Sequence, residues 1–179
     1  ATVLPVLYPG VMLFLAALVF RGVVFEFRPR SDRRRIWNRA FFLASAIAAF
    51  AQGLVLGGFV QGFEMESGRY AGGPFGWLTP FSFMTGLAMV NGYALLGAAW
   101  LILKTRGPLQ AWCFRAARPL LIGMAFFIVL VSLWTPFAQP AIAQRWFSLP
   151  NLIVLSPIPL ATAWCLWRAW RLLLARRER

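Results

Sequence analysis

Long apolar stretches recur along the chain and are separated by short polar or basic segments. Each stretch has roughly 18 to 25 residues, the length of a helix that crosses a hydrocarbon layer of about 30 Å. The stretches lack the alternating period of barrel strands, so they are predicted to be helices. They lie near residues 3–27, 36–62, 79–103, 117–135 and 151–172. The pattern predicts an all-α, multi-pass membrane protein with about five transmembrane helices in a single domain, 1–179.

Basic residues are concentrated in every second connection between the predicted spans. The arginine-rich segments are RPRSDRRRIWNR (28–39), the stretch from KTRG (104–107) to Arg118, and RAWRLLLARRER (168–179). Because positively charged loops stay in the cytoplasm, the N-terminus is predicted to lie outside and the C-terminus in the cytoplasm. Basic residues on that side favour anionic lipid headgroups. The net charge of +13 therefore indicates membrane lipids, and not nucleic acid, as partners.

The residue content limits the chemistry that this chain can perform. Of its residues 60% are hydrophobic, and none is histidine, which excludes bis-histidine haem ligation and a histidine general base within the chain. The Asp and Glu residues are scattered, so no carboxylate pair for acid–base or di-metal chemistry is expected. We predict no catalytic residue, no metal ligand and no cofactor bound by this chain alone.

Polar residues in or beside the apolar stretches are the candidate functional groups, because such groups are unfavourable in hydrocarbon. They are Arg21, Glu26, Arg28, Gln52, Gln61, Asn91, Trp100 and Lys104. Glu26 lies about 140° around the helix from Arg21. Each is therefore expected to find its partner on another helix, another subunit, a lipid or a cofactor. The alternative for Arg21 is snorkelling to the cytoplasmic headgroups, since about 18 apolar residues before it nearly span the bilayer.

Several of these polar groups are expected to serve packing. Gln52 and Asn91 come at similar depth in antiparallel helices, which predicts a hydrogen bond between them of about 1 kcal/mol. Tyr93 and Trp100 are seven residues apart and lead to Lys104. Aromatic residues at this spacing are more often packing groups than a redox wire.

Glycine, proline and threonine predict local features of the spans. In GLVLGGFVQG (53–62), two consecutive small-xxx-small spacings predict a helix-packing face. Trp77 is expected at the membrane interface, and Thr79 is expected to cap the third span. Pro119 and Pro136 are expected to bound the fourth span.

Four segments occur in the same order as in a known family: RGVVFEFR (21–28), AQGLVLGGFVQG (51–62), GGPFGWLTPFS (72–82) and GLAMVNGYALLGAAWLILKTRGPLQ (86–110). Together they closely resemble subunit II of the bacterial cytochrome bd-type quinol oxidases, particularly the cyanide-insensitive branch. The resemblance implies an inner-membrane terminal oxidase that oxidises quinol and reduces oxygen to water. Haem b, haem d and the quinol-oxidising loop are then expected in the partner, subunit I.

The resemblance also implies the role of this chain within such a complex. It implies a noncatalytic scaffold that supports the haem environment of subunit I and helps to form proton or oxygen routes. It does not determine whether this subunit binds a quinone. Arg21, Glu26 and Arg28 fall on the family's signature segment. A partner-stabilising or propionate-facing role for Arg21 follows as a hypothesis.

The chain departs from the family pattern in two respects. Family members are considerably longer, and their N-terminal helix pair is expected to be absent from these residues. Arg106 stands where the family commonly has an acid. The alternative functions are a small helical transporter or channel, with polar residues such as Arg21 and Asn91 lining a cavity, or a nonfunctional fragment. The odd number of predicted spans and the lack of internal symmetry or broken midplane helices favour the oxidase subunit.

Overall fold

The computed structural model describes residues 3–62, 65–66, 69–70, 76–138, 144, 148, 151 and 155–175. The long helices are α1 (Val3–Phe27), α2 (Arg34–Gln61), α3 (Pro80–Lys104), α4 (Pro108–Ala138) and α5 (Pro157–Ala175). A 3-10 turn, Arg28–Arg30, follows α1. Two short strands, β1 (Met65–Glu66) and β2 (Arg69–Tyr70), pair antiparallel between α2 and α3. Helix is thus the dominant structure, as predicted, and the strand pair is a small addition to it.

Four of these helical segments are long and apolar enough to cross a membrane. They are Val6–Arg30, Arg34–Gln61, Pro80–Lys104 and Pro108–Phe137. The helices α1, α2 and α3 begin and end within two residues of the first three predicted spans. Helix α5 corresponds to the predicted fifth span, but it is not one of the four crossings found among the described residues, and Arg168 and Arg171 lie in its second half. The fifth crossing and the orientation of the termini stay predictions.

Pro119 and Pro136, which are expected to bound the fourth span, do not end the helix. Both prolines lie inside α4, which begins at Pro108. Each proline removes one N–H from the helix ladder, and α4 continues through both positions. Gly107, with φ of 80°, supplies the left-handed residue between α3 and α4. Pro108 then occupies the first helical position, where its missing N–H does no harm.

The chain divides into two compact units, residues 1–90 and 91–179. In the first unit, α1 packs along α2. The core of this unit consists of Val6, Leu7, Leu54 and Trp77, with Phe50 and Val55 packed against it. Trp77 is only 4% exposed, so protein atoms surround it. A methyl group added to Gly58 would lie 3.3 Å from Trp77 Cβ, which shows how closely α2 approaches this tryptophan.

Small residues let α2 and the start of α3 approach each other within the first unit. A methyl group on Gly53 would lie 2.6 Å from the Cα of Gly86, and one on Gly57 would lie 2.5 Å from the Cα of Ser82. The Thr85 hydroxyl donates to the carbonyl oxygen of Gly53 at 2.9 Å. The predicted packing face is therefore confirmed at these glycines.

The last glycine of the predicted face has a different role. Gly62 ends α2 with φ of 78°, a left-handed conformation that favours glycine. Its N–H donates to the carbonyl oxygen of Phe59 at 3.3 Å, which satisfies one of the last helical carbonyls.

The second unit contains the rest of α3 together with α4 and α5, and α4 packs against α5. Cys113, Ala117 and Leu121 are four residues apart on α4, and all three are buried. The guanidinium of Arg118 donates to the carbonyl oxygen of Leu173 at 3.1 Å. This bond joins α4 to one of the last carbonyls of α5, which lack intrahelical partners.

Candidate functional site

Arg21 lies exposed on α1, and its partner is an aromatic ring. Its Cζ lies 5.2 Å from the ring centroid of Phe41 on α2. Such cation–π contacts contribute about 0.5 to 1 kcal/mol at exposed sites and about 2 kcal/mol when desolvated. Because this ring is neutral, the expected partner that balances the charge of Arg21 stays a prediction. A planar guanidinium held on a ring keeps N–H donors at its edge for a further partner.

Glu26 pairs with Arg30 in the turn that follows α1, whereas a partner on another helix, another subunit, a lipid or a cofactor was predicted. The Oε1 of Glu26 and the Nη1 of Arg30 are 3.2 Å apart, at an i, i+4 spacing that continues from α1 into the 3-10 turn. The acidic residue precedes the basic one, which is the favourable order on a helix. The spacing in the sequence could therefore have revealed this pair.

The connection between α1 and α2 is fixed by aromatic stacking. The rings of Phe27 and Trp37 have centroids 6.0 Å apart and are inclined by 14°. Arg28 is exposed at the first position of the turn between them. Arg21, Glu26 and Arg28 therefore lie near one end of the α1–α2 pair, and all three are exposed.

Gln61 belongs to a hydrogen-bond network at the start of α3. The Thr79 hydroxyl donates to Gln61 Oε1. The N–H of Ser82 donates to Thr79 Oγ1 at 3.1 Å, and the N–H of Thr79 donates to Ser82 Oγ at 2.9 Å. This reciprocal arrangement confirms Thr79 as the N-cap of α3. The Ser82 hydroxyl also donates to the carbonyl oxygen of Trp77 at 2.8 Å, so the network holds the buried tryptophan as well.

Asn91 binds α4 within the second unit. Its Nδ2 donates to the carbonyl oxygen of Leu120 at 3.0 Å. A methyl group on Gly123 would lie 2.9 Å from Asn91 Oδ1, so the glycine makes room for the amide. Gln52 is half-buried on α2, and its expected hydrogen bond to Asn91 stays a prediction.

Lys104 contacts Trp100, and the same arrangement occurs twice on α5. Lys104 Nζ lies 5.2 Å from the ring centroid of Trp100. The corresponding pairs on α5 are Trp164 with Arg168 at 5.6 Å and Trp167 with Arg171 at 5.0 Å. Trp100 is 62% exposed, so it belongs to no core among the described residues. Tryptophan with a nearby cation is typical of the membrane–water interface.

A groove in the second unit was not expected from the sequence. It has a volume of about 1730 Å³ and is lined by residues of α3, α4, α5 and the α3–α4 loop. Three arginines, Arg106, Arg115 and Arg118, contribute to its lining. No single segment of sequence contains this site, because its lining residues come from three helices.

The candidate residues provide charge and hydrogen bonds, but they do not assemble a reaction centre. Within the described ranges, no three His, Cys, Asp or Glu side chains are grouped so as to hold a metal ion. The two cysteines are unpaired, with Cys113 buried and Cys165 exposed. The arrangement described above can therefore bind, orient and pack, and it offers no nucleophile–base pair.

Comparison with known proteins identifies the family. The family model described as cytochrome bd terminal oxidase subunit II matches residues 1–179. The chain belongs to the cytochrome bd terminal oxidase subunit II family. This confirms the resemblance of the four segments, and it supports the oxidase subunit over a transporter or channel. Members of the cytochrome bd family are membrane proteins, in agreement with the four apolar helices of this chain.

Two groups of curated proteins are similar to this member of the cytochrome bd family. A probable cytochrome oxidase subunit 2 of Haemophilus influenzae is 31% identical over 111 residues, which are 58% of this chain and 29% of that protein. The cytochrome bd-I ubiquinol oxidase subunit 2 of Escherichia coli K12 is 25% identical over 138 residues, or 73% of this chain and 36% of that protein. The same subunit of Escherichia coli O157:H7 matches equally. The chain thus covers about a third of the length of these relatives.

Proposed function

We propose that the chain is a noncatalytic subunit of a bacterial cytochrome bd-type terminal oxidase, which oxidises quinol and reduces oxygen to water. The observation that carries the proposal is the family match over residues 1–179. The similar Escherichia coli protein is named as a subunit of a ubiquinol oxidase, which supports a quinol as the substrate of the complex. The proposed location is the bacterial inner membrane.

The groove of the second unit does not fit a haem, and we propose that haem b and haem d belong to the partner, subunit I. Haem iron is held by His, Cys, Met or Tyr side chains. The chain has no histidine, and the lining of the groove in the second unit contains none of the other three residue types. Cys113 is fully buried in the row that includes Ala117 and Leu121 on α4. No electron-transfer step is therefore attributed to this chain.

The proposed contribution of the chain is to pack beside subunit I and to support its haem environment. Apolar side chains of α1 are widely exposed, among them Met12 (68%), Val19 (68%) and Phe25 (69%). Such a surface requires lipid or a partner helix to cover it. Arg21 emerges from the same helix, and the N–H donors at the edge of its guanidinium suit a carboxylate. A partner acid or a haem propionate is the proposed acceptor.

Polar residues along the helices are the proposed elements of proton or oxygen routes. Gln61 already participates in a hydrogen-bond network with Thr79 and Ser82. Asn91 bonds to the backbone of α4. These amides can exchange hydrogen bonds with water without changing charge, which suits a role beside a route more than a role as a proton carrier.

Co-purification tests the proposed function. The chain is extracted from its native membrane in mild detergent, and reduced-minus-oxidised spectra are recorded on whatever accompanies it. A haem-bearing partner with b- and d-type bands and quinol-dependent oxygen uptake is expected. A haem-free preparation without oxygen uptake, from membranes that retain oxidase activity in another complex, would contradict the proposal.

A further inference from the structure

The lining of the groove in the second unit contains both basic and apolar side chains. Arg106, Arg115 and Arg118 line it together with leucines such as Leu95 and Leu96 on α3. Its volume of about 1730 Å³ exceeds the roughly 300 to 1,000 Å³ of ordinary small-molecule pockets. The size and the mixed lining indicate an amphipathic ligand with a long apolar part.

The charge of the groove indicates an anionic ligand. None of its lining residues is acidic. Apart from Glu178, every charged residue between positions 91 and 179 is basic. Clustered guanidinium groups without neighbouring carboxylates repel one another and attract phosphate, which arginine binds with paired N–H donors. Basic pockets between helices at a membrane surface bind lipid headgroups for this reason.

The length of α4 allows its arginines to reach the level of lipid phosphates. The 31 residues of α4 form a helix of about 46 Å, which exceeds a hydrocarbon layer of about 30 Å by about 16 Å. This excess corresponds to the segment from Pro108 to Arg118. When the uncharged remainder of α4 crosses the hydrocarbon, Arg115 and Arg118 lie at its boundary. Leu95 is nine residues before Lys104 on α3, so it then lies about 13 Å deeper in the membrane than Lys104 does.

Hydrogen bonds beside the groove fix the end of α3, the start of α4 and the end of α5. The Gln110 amide donates to the carbonyl oxygen of Ile102 at 2.8 Å, and the Thr105 hydroxyl donates to that of Leu101 at 2.6 Å. Arg118 donates to Leu173 on α5. The last carbonyls of α3 and α5 are thereby satisfied by protein groups, which reduces the negative potential that they would present to an anion.

We propose that this groove binds one anionic glycerophospholipid, with its phosphate at Arg106, Arg115 and Arg118 and an acyl chain along the leucines of α3. The lipid would fill a space between helices of this chain and bring negative charge to a unit that is almost entirely basic. The site lies in residues 91–179 and concerns a ligand other than the quinol or the haems. It can therefore be tested without reference to oxidase activity.

Lipid binding to a charge variant and a matched control tests the site. The protein, with any subunits that accompany it, is purified and reconstituted in nanodiscs of phosphatidylcholine with increasing phosphatidylglycerol, and retained lipid is measured by native mass spectrometry.

The double variant Arg106→Gln, Arg115→Gln keeps the Arg118 bond to Leu173. Its affinity for phosphatidylglycerol is expected to fall about 30-fold, since each cation near a membrane surface contributes about fivefold. The control, Arg168→Gln with Arg171→Gln, removes equal charge outside the groove lining and is expected to change affinity far less.

A second pair of variants tests the apolar wall without changing charge. Ala99 lines the groove, whereas the nearby Ala94 does not, and both are exposed on α3. Ala99→Trp is expected to abolish retention of phosphatidylglycerol, and Ala94→Trp is expected to leave it unchanged. Inorganic phosphate is not expected to displace the lipid.

Four results would each overturn the lipid site. These are equal phosphatidylglycerol binding by the two charge variants, equal retention of phosphatidylcholine and phosphatidylglycerol, displacement of the lipid by inorganic phosphate, and recovery of a quinone in place of phospholipid. Absence of bound phospholipid from an assembled complex would also overturn it.

Discussion

Gly57 faces Ser82 so closely that a single methyl group on the glycine would lie 2.5 Å from the serine Cα. This Cα is a backbone atom, which cannot move aside as a flexible side chain would, and the Thr85 hydroxyl lies closer still to the added methyl group. Close approach of α2 and the start of α3 therefore depends on the absence of a side chain at this position. Gly53, one turn earlier, has the same relationship to Gly86. These contacts lead to the first prediction.

Replacing Gly53 with Ala is expected to destabilise the first unit. The added Cβ would lie 2.6 Å from both Gly86 Cα and the carbonyl oxygen of Thr85, so the helices must separate. Overpacking of this kind destabilises by about 1 to 3 kcal/mol. Thermal unfolding in detergent measures the change. Gly97→Ala is the matched control, because nothing lies within 4 Å of its added Cβ, and an equal loss in both variants would contradict the packing argument.

The cap of α3 supports a second prediction. Thr79→Ala removes the acceptor for the Ser82 N–H and the donor to Gln61. Loss of an N-cap side chain destabilises by about 0.5 to 2 kcal/mol. Thr79→Ser retains both interactions and is expected to restore most of the stability. Protease resistance of α3 and the thermal midpoint distinguish the two variants, and similar behaviour of Ala and Ser would contradict the proposed cap.

The features predicted correctly from the sequence are those determined by nearby residues. The apolar stretches specify α1, α2 and α3 because length and hydropathy alone decide whether a helix can cross a membrane. Thr79 is identified as a cap because it comes directly before Pro80, a residue suited to the first helical turn. The small residues at positions 53 and 57 indicate close packing because their spacing places them on one helix face.

The missed features depend on partners that are remote in sequence or on competition between local rules. Arg118 and Leu173 are separated by 55 positions, and no local pattern indicates that they meet at a groove. Pro119 favours a helix end locally, but α4 begins at Pro108 and continues through it. The Glu26–Arg30 pair was missed for another reason, since Arg30 lies beyond the predicted helix end and the 3-10 turn extends the helical spacing to it.

Arg21 provides a prediction about the assembled complex. Arg21→Leu removes both the cation–π contact with Phe41 and the donors proposed to reach the partner. Haem content and quinol-dependent oxygen uptake of the purified complex are expected to fall together. Phe41→Leu is the control that removes only the contact within this chain, and it is expected to have a smaller effect on both. Unchanged haem content and oxygen uptake in Arg21→Leu would reject a role for this residue toward the partner.

The ion pair of Glu26 with Arg30 is expected to contribute little to the stability of the isolated chain. The side chains of Glu26 and Arg30 are 65% and 72% exposed, so solvent and salt screen their attraction. Exposed i, i+4 pairs of this kind stabilise by about 0.3 to 0.5 kcal/mol. Glu26→Gln is therefore expected to leave the thermal midpoint nearly unchanged. A large loss of stability would contradict the exposed ion pair and indicate a buried role for the carboxylate.

The contact between Asn91 and Gly123 predicts how the second unit responds to a small change on α4. In Gly123→Ala, the new Cβ would lie 2.9 Å from Asn91 Oδ1, so the amide must move and its hydrogen bond to Leu120 weakens. We expect a loss of about 1 kcal/mol, from the weakened hydrogen bond. Adding Asn91→Ala should relieve the clash, so the double variant is expected to be more stable than the sum of the single effects predicts. Thermal unfolding of the four proteins in this cycle gives the coupling energy, and strictly additive effects would show that Asn91 and Gly123 do not touch.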